Sequence, residues 1–64
     1  MKNKKYIVYN RAGEYHHCYN GTLNGALSWA IDCAKTVGGS VEEVVDGKAT
    51  VVFDYAKKAN AHSN

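Results

Sequence analysis

The segment HHC at residues 16–18, together with Cys33, holds the side chains best suited to metal binding or thiol chemistry. On a strand, His16 and Cys18 share one face and His17 points to the other. A structural zinc site needs four converging ligands, usually in paired spacings that this chain lacks. We therefore expect no metal and no cofactor, with the histidines facing solvent and the thiol buried. A Cys18–Cys33 disulfide is geometrically conceivable, but a reducing cytosol argues against it.

Catalysis has little support in the remaining polar residues. A Cys-His nucleophile would need an orienting third group and an oxyanion hole, and neither is identifiable. The adjacent carboxylates Glu42 and Glu43 fall on a predicted strand, so they point to opposite faces and cannot act as a neighbouring acid/base pair. The sequence favours a protein that is not an enzyme.

Tyrosines and basic residues indicate a binding function. Aromatic side chains on a sheet can stack nucleic-acid bases while basic groups hold phosphates. Acidic residues interrupt the basic ones, however, and the net charge of +2 is too small to indicate a polyanionic partner. A protein partner is favoured, with nucleic acid as the alternative. The residues concerned are Tyr6, Tyr9, Tyr15, Tyr19, Tyr55, Lys4, Lys5, Arg11, Lys48, Lys57 and Lys58.

One central helix is predicted over residues 22–37. Apolar residues there recur at spacings of three and four, which is the period of a helix with one apolar stripe. Thr22 is a suitable N-cap, and Gly38 suits a left-handed C-cap. Trp29 lies about 120° from the centre of the stripe. It is either an anchor for a partner or a side chain that folds over the sheet edge or the C-terminal segment to complete a small core.

Four strands are predicted, at residues 5–9, 14–19, 40–45 and 48–55, from their content of β-branched and aromatic residues. The resulting order ββαββ predicts an α+β fold, a four-stranded antiparallel sheet with the helix on one face. The strand order is open, because two hairpins can join at either edge; alternatively, the hairpins pair across a homodimer interface. Residues 1–56 are expected to form one domain, and residues 57–64 a disordered tail.

The dipeptide Asp46-Gly47 predicts a two-residue hairpin turn of type I′. That turn would pair Glu42 with Val51 and Ser40 with Phe53. The face predicted to meet the helix carries Val44, Ala49, Val51, Phe53 and Tyr55. The opposite face carries Val41, Glu43, Val45, Lys48, Thr50, Val52 and Asp54.

A single helix covers only one face of a sheet, so apolar and tyrosine surface should remain outside and mark an interaction site. The turn at residues 10–13 and the Asp46-Gly47 turn put basic residues at the hairpin tips. Candidate partner contacts are Tyr6, Tyr9, Arg11, Tyr15, Trp29, Val41, Lys48 and Val52.

Chain length and composition limit the class of protein. Sixty-four residues make one small domain, and a composition of 45% hydrophobic and 22% charged residues is typical of globular chains. The first residues, MKNKK, precede a short tyrosine-rich strand rather than the long apolar segment of a signal peptide, and no run approaches the length of a membrane span. We expect a cytoplasmic protein with free thiols.

The chain resembles small phage-encoded proteins that disable host machinery, including the short phage inhibitor of bacterial RNA polymerase and several compact anti-CRISPR proteins. The resemblance lies in the size, the N-terminal hairpin, the alanine-rich helix (ALSWAIDCA) and the closing valine-rich hairpin (VEEVVDGKATVVFDY). It implies a viral inhibitor that binds a host protein or complex stoichiometrically and without turnover. It is architectural, so it assigns no functional residues.

Overall fold

A computed structural model describes residues 3–56, and the tail predicted at residues 57–64 lies outside this range. The elements are β1 (Lys4–Tyr9), β2 (Tyr15–Asn20), α1 (Ala26–Val37), β3 (Ser40–Val45) and β4 (Lys48–Asp54). The predicted ββαββ order and α+β class are confirmed. The four strands form one antiparallel sheet in the order β2-β1-β3-β4, so the two hairpins join through β1 and β3.

Both hairpin turns follow the chemistry of their residues. Asp46 and Gly47 have φ angles of 51° and 83°, as a type I′ turn requires, and the predicted two-residue turn is confirmed. In the first hairpin, the side-chain oxygen of Asn10 accepts hydrogen bonds from the backbone N–H groups of Ala12 and Glu14, each at 2.9 Å. Gly13 takes a φ of 83°, as expected for a bulged turn.

The helix begins four residues later than predicted, so the assignment of Thr22 as its N-cap is wrong. The N-cap is Gly25, with a φ of 81°. The hydroxyl of Thr22 instead donates to the side-chain oxygen of Asn20 at 2.7 Å, and the backbone N–H of Thr22 donates to the same atom at 3.0 Å. This local turn competes with the helix for residues 20–24. The C-terminal prediction is confirmed, because Gly38 is a left-handed C-cap with a φ of 69°.

The core lies between α1 and the central strands. Ala26, Ala30 and Ala34 form the buried stripe of the helix, and their small side chains allow its backbone to approach the sheet closely. On the sheet they face Tyr6 and Val8 of β1 and Val41 of β3. We call this side of the sheet the covered face. It also holds the partly buried side chains Tyr19 and Phe53.

The predicted orientation of the second hairpin is confirmed for Phe53, which packs against the core, but it is wrong for residues 41–51, and a β-bulge explains part of the error. The predicted pairing of Glu42 with Val51 is confirmed, but Val41 pairs with Phe53, which leaves Val52 as an extra residue. Phe53 therefore lies on the covered face with Val41, while Val51 lies on the other face. The faces of all residues from Val44 to Val51 are likewise opposite to those predicted. Pairing of Val8 with Val41 fixes this orientation, because it aligns β3 with the apolar side of β1.

Backbone contact seals the junction between the helix and β3. A side chain at Gly39 would overlap the carbonyl oxygen of Tyr9, so only glycine fits there. The N–H of Gly39 donates to the carbonyl oxygen of Ala34 at 2.9 Å, and the N–H of Tyr55 donates to the carbonyl oxygen of Gly39 at 3.0 Å. The helix end, β1 and the end of β4 therefore meet at this residue.

Candidate protein-interaction surface

The side of the sheet opposite the helix is the candidate interaction surface, and we call it the open face. Paired residues in an antiparallel sheet share a face, so the register identifies its members. Among residues 3–56, no helix or strand lies over it. Its apolar and aromatic members, with the polar groups between them, are Lys5, Ile7, Tyr9, Tyr15, Cys18, Glu42, Val44, Ala49 and Val51.

A tyrosine-glutamate hydrogen bond joins β1 and β3 on the open face. The hydroxyl of Tyr9 on β1 donates to the carboxylate of Glu42 on β3 at 3.3 Å. Partial burial raises the pKa of the Tyr9 hydroxyl above its usual value, and the negative charge and hydrogen bond of Glu42 raise it further. The pair fixes two side chains that would otherwise sample many rotamers, so this part of the face is preorganised.

A second tyrosine-glutamate hydrogen bond joins β1 and β3 on the covered face. The Tyr6 hydroxyl donates to Glu43 at 3.2 Å, and the ammonium of Lys4 lies 3.4 Å from the same carboxylate. Hydrogen bonding and charge from Tyr6, and then from Glu43, raise the pKa of Lys4. Glu42 and Glu43 thus lie on opposite faces, and each is engaged by a tyrosine of β1.

Two of the predicted partner contacts are wrong because their side chains are in the core. Tyr6 is 4% exposed and Val41 is fully buried. The sequence prediction placed Val41 on the outside because it followed the hairpin register without the bulge. For Tyr6, the alternation of β1 left both faces apolar, so the sequence had no polar residue to mark the exposed side.

Other predicted contacts lie at the surface, but not on one patch. Tyr9 and Tyr15 are paired neighbours on the open face, and Tyr15 is 65% exposed. Val52 is the exposed bulge residue of β4, and Lys48 lies beside the type I′ turn. Only the two tyrosines join the central apolar part of the open face.

Arg11 contacts the helix rather than projecting from the hairpin tip. A Cβ atom built on Gly38 would lie 3.3 Å from nitrogen atoms of the Arg11 guanidinium. The guanidinium therefore covers the C-cap of α1, where the exposed carbonyl groups favour a cation. Arg11 therefore has a structural role at the end of the helix.

Trp29 lies on the flank of the helix that faces the edge strand β2. Its ring centroid is 6.4 Å from that of Tyr19, which in turn stacks edge-on against His17 at 4.6 Å. Burial raises the pKa of Tyr19, and a hydrogen bond with Cys33 adds to this effect. Trp29 stays 49% exposed and reaches the sheet edge without entering the core.

The residues considered for metal and thiol chemistry are separated by the sheet. Cys18 pairs with Ile7 on the open face, whereas His17 pairs with Val8 on the covered face and Cys33 lies on the helix. A disulfide between the two cysteines would have to cross the sheet. In the described part of the chain, no three His, Cys, Asp or Glu side chains converge as metal ligands.

Sequence reasoning missed three central members of the open face: Ile7, Val44 and Val51. Ile7 pairs with both Cys18 and Glu42, which places it in the middle of the sheet. The sequence predicts Val44 and Val51 on the helix side, whereas both lie on the open face. The available signal was the pairing of Val44 with Ala49 and of Glu42 with Val51, which put them together on one face but did not say which one.

Comparison with known protein families, with curated proteins and with solved structures finds no match for this chain. The helix α1 has 12 residues, and within residues 3–56 no helix reaches the length and apolarity that a membrane span needs.

Proposed function

We propose that this protein is a small non-enzymatic protein-binding modulator that uses its open face to occlude a surface of another protein. The resemblance to phage-encoded inhibitors supports a viral protein that acts in the host cytoplasm on a host protein or complex, such as the transcription or CRISPR machinery. In this mode the protein binds stoichiometrically and performs no turnover.

The observation that carries the proposal is the composition of the open face. Ile7, Val44 and Val51 form its apolar part, and the last of these is 55% exposed. Tyr9 and Tyr15 adjoin them as paired neighbours. An apolar centre with tyrosines and a polar border is the composition of protein interfaces, in which tyrosine is enriched and charged residues are rare at the centre.

Charge distribution favours a protein over a nucleic-acid partner. All six acidic residues but only five of the eight basic ones fall in residues 3–56, so the described fold carries a slight net negative charge. On the surface, Lys4 is paired with Glu43, and Lys5 shares the open face with Glu42. A nucleic-acid interface requires a continuous basic patch, because phosphate contacts supply most of the affinity.

Binding without chemistry agrees with how the reactive side chains are held. The carboxylates of Glu42 and Glu43 each accept a hydrogen bond from a tyrosine, on opposite faces. Cys18 and His17 are likewise on opposite faces. These pairs therefore lack the convergence that general acid/base or nucleophilic catalysis needs.

The test is capture of partners from a bacterial lysate with an affinity-tagged chain, with retained proteins quantified by mass spectrometry. The informative variant is Val44→Asp, which puts a charge in the apolar part of the open face opposite Lys5. Ser28→Asp is the matched control, since Ser28 is exposed on the helix. Circular dichroism verifies that both variants are folded.

We expect a bacterial protein to be retained in near one-to-one ratio by the unmodified chain and by Ser28→Asp, and at least tenfold less by Val44→Asp. Equal retention by both variants would remove the open face as the interface. Retention of nucleic acid that disappears at high salt would instead support the alternative function. If no stoichiometric partner is retained at all, the proposal fails.

A further inference from the structure

Strand β4 is an edge strand whose outer edge is bare in the described part of the chain. In the order β2-β1-β3-β4, the one strand of residues 3–56 that pairs with β4 is β3. The helix packs over β1, β2 and β3 and leaves β4 largely outside its footprint. Between Lys48 and Asp54 the strand has no charged residue, and Val51 and Val52 are exposed. Such edges are templates for pairing with another strand.

The register shows which backbone groups of β4 point to this edge. The N–H of Asp46 donates to the carbonyl oxygen of Asn3 at 3.1 Å, so even-numbered residues of β3 direct their backbone groups to β1. Odd-numbered residues direct theirs to β4, which makes Glu43–Thr50 a hydrogen-bonded pair. The N–H and carbonyl groups of Ala49 and Val51 therefore point outward.

We propose that a second copy of this chain occupies the edge, with the two β4 strands pairing antiparallel about Thr50. In this register Ala49 of each copy is opposite Val51 of the other, so their outward groups form four hydrogen bonds. The two Thr50 side chains meet across the twofold axis, a favourable cross-strand pair. The sheets of the two copies join into one of eight strands, with both helices on the same side.

The bulge selects this register from its neighbours. Centring the pair on Val51 would carry the ladder past Val52, where the alternation of side chains between faces is broken. Centring it on Ala49 would place Val51 opposite Gly47, in the turn. Pairing about Thr50 uses the regular part of the strand alone, and it keeps Ala49 and Val51 on the open face in both copies.

Charge does not oppose this arrangement. Within residues 48–52, the segment that pairs, Lys48 is the one charged residue. The twofold axis puts the two Lys48 side chains at opposite ends of the ladder, each opposite Val52 of the other copy, so no like charges are brought together within the paired segment.

Dimerisation would also add stability to a chain whose core is small. The buried apolar core contains six residues, three of them alanines, among residues 3–56. A chain of this length buries only about 60% of its unfolded surface, and association is a common remedy. Pairing at β4 adds main-chain hydrogen bonds and covers part of the exposed surface of Val51.

The first experiment measures mass in solution by sedimentation equilibrium, for the full chain and two variants that each introduce one lysine. Thr50→Lys puts two ammonium groups opposite each other in the proposed dimer, yet within one chain it faces Glu43 and preserves the fold. His16→Lys adds a cation to the other edge strand, at the exposed bulge of β2. It serves as the matched control.

We expect the unmodified chain and His16→Lys to show twice the chain mass of 7.0 kDa, and Thr50→Lys to weaken dimerisation at least tenfold. A monomeric unmodified chain at millimolar concentration would overturn the proposal. Dissociation by His16→Lys but not by Thr50→Lys would overturn it as well, because it would place the contact at β2.

Two single proline variants test the backbone geometry directly. Val51→Pro removes an N–H that points to the outer edge, so we expect a folded monomer. Thr50→Pro removes an N–H that bonds to β3, so we expect loss of the fold in circular dichroism. A dimeric Val51→Pro chain would contradict pairing through this edge.

The proposed dimer and the proposed function can be tested independently of each other. Val44→Asp lies on β3 away from the edge and should leave the mass doubled while it abolishes capture of the protein partner. Thr50→Lys should leave capture by the open face intact while it halves the mass. Loss of both properties in either variant would contradict the separation of the two surfaces.

Discussion

The covered and open faces of this sheet are built from alternate residues of the same strands, yet they have opposite packing. On the covered face, Val8 and Val41 are fully buried under the alanine stripe of the helix. On the open face, Ile7 and Val44 are half-buried, and Val51 is mostly exposed. Both sets are apolar and β-branched, so side-chain type alone does not distinguish the core from the candidate interface.

The difference teaches that coverage, rather than composition, assigns the roles of the two faces. A helix about 10 Å wide shields one side of three strands and no more. The side that the helix leaves uncovered keeps apolar side chains at the surface. Matched substitutions at equivalent positions of the two faces should therefore give very different effects on stability.

The largest effect is expected from a charge placed on each face of β3. Val41→Asp buries a carboxylate without a partner and should cost at least about 3 kcal/mol, enough to unfold a domain of this size. Val44→Asp faces Lys5 on the open side and should cost less than about 1 kcal/mol. Urea unfolding followed by circular dichroism measures both. Similar losses would show that the open face is buried in solution.

The next effect concerns the backbone contact that positions β3 under the helix. Gly39→Ala forces the chain away from the carbonyl oxygen of Tyr9 and should cost about 2–4 kcal/mol. Gly13→Ala is the control, because nothing lies within 4 Å of a Cβ atom there and only its φ of 83° is unfavourable. That penalty is about 1 kcal/mol. Equal costs would show that the close approach at Gly39 is relaxed in solution.

A smaller effect on stability is expected from enlarging one side chain on the buried side or on the exposed side of the helix. Ala30→Leu overpacks the contact with the covered face and should cost about 1–3 kcal/mol. Ser28→Leu adds the same side chain on the exposed side of the helix, and it should change the free energy of unfolding by about 0.5 kcal/mol or less. Thermal unfolding of both variants tests this. A neutral Ala30→Leu would mean that the helix sits farther from the sheet.

The smallest effect is a pH dependence of the open face. The folded-state pKa of Tyr9 is raised by partial burial and then by Glu42. The corresponding stabilisation is therefore complete below the unfolded value of about 10 and is lost as the pH rises through the folded value. Nuclear magnetic resonance of ring-labelled tyrosines should show the Tyr9 pKa falling in Glu42→Gln. No change would mean that the hydrogen bond does not persist in solution.

A matched comparison on stability follows from the same pair. Tyr9→Phe removes the titrating group, so this variant should lose less stability than the unmodified chain when the pH rises above about 10. The other tyrosines remain in both proteins and provide the common background. An identical alkaline loss would exclude Tyr9 as a contributor.

The sequence by itself determined the local structure. The strands at 40–45 and 48–54, the type I′ turn at Asp46-Gly47 and the helix end at Gly38 follow from β-branched content and from positive φ angles that glycine accepts readily. These features depend on a few neighbouring residues. The helix start did not follow, because the side chain of Asn20 held Thr22 in a turn that the helical period does not reveal.

Tertiary structure alone decided which face of the sheet is covered. The sequence leaves both faces of β1 apolar, and its choice for the second hairpin depended on an unbroken alternation along β4. Pairing of Val8 with Val41 reversed that choice for residues 41–51, and the bulge at Val52 kept Phe53 on the covered face beside Val41. These are long-range contacts, so the candidate interface at Ile7 and Val44 emerged only once β1 and β3 had been placed side by side.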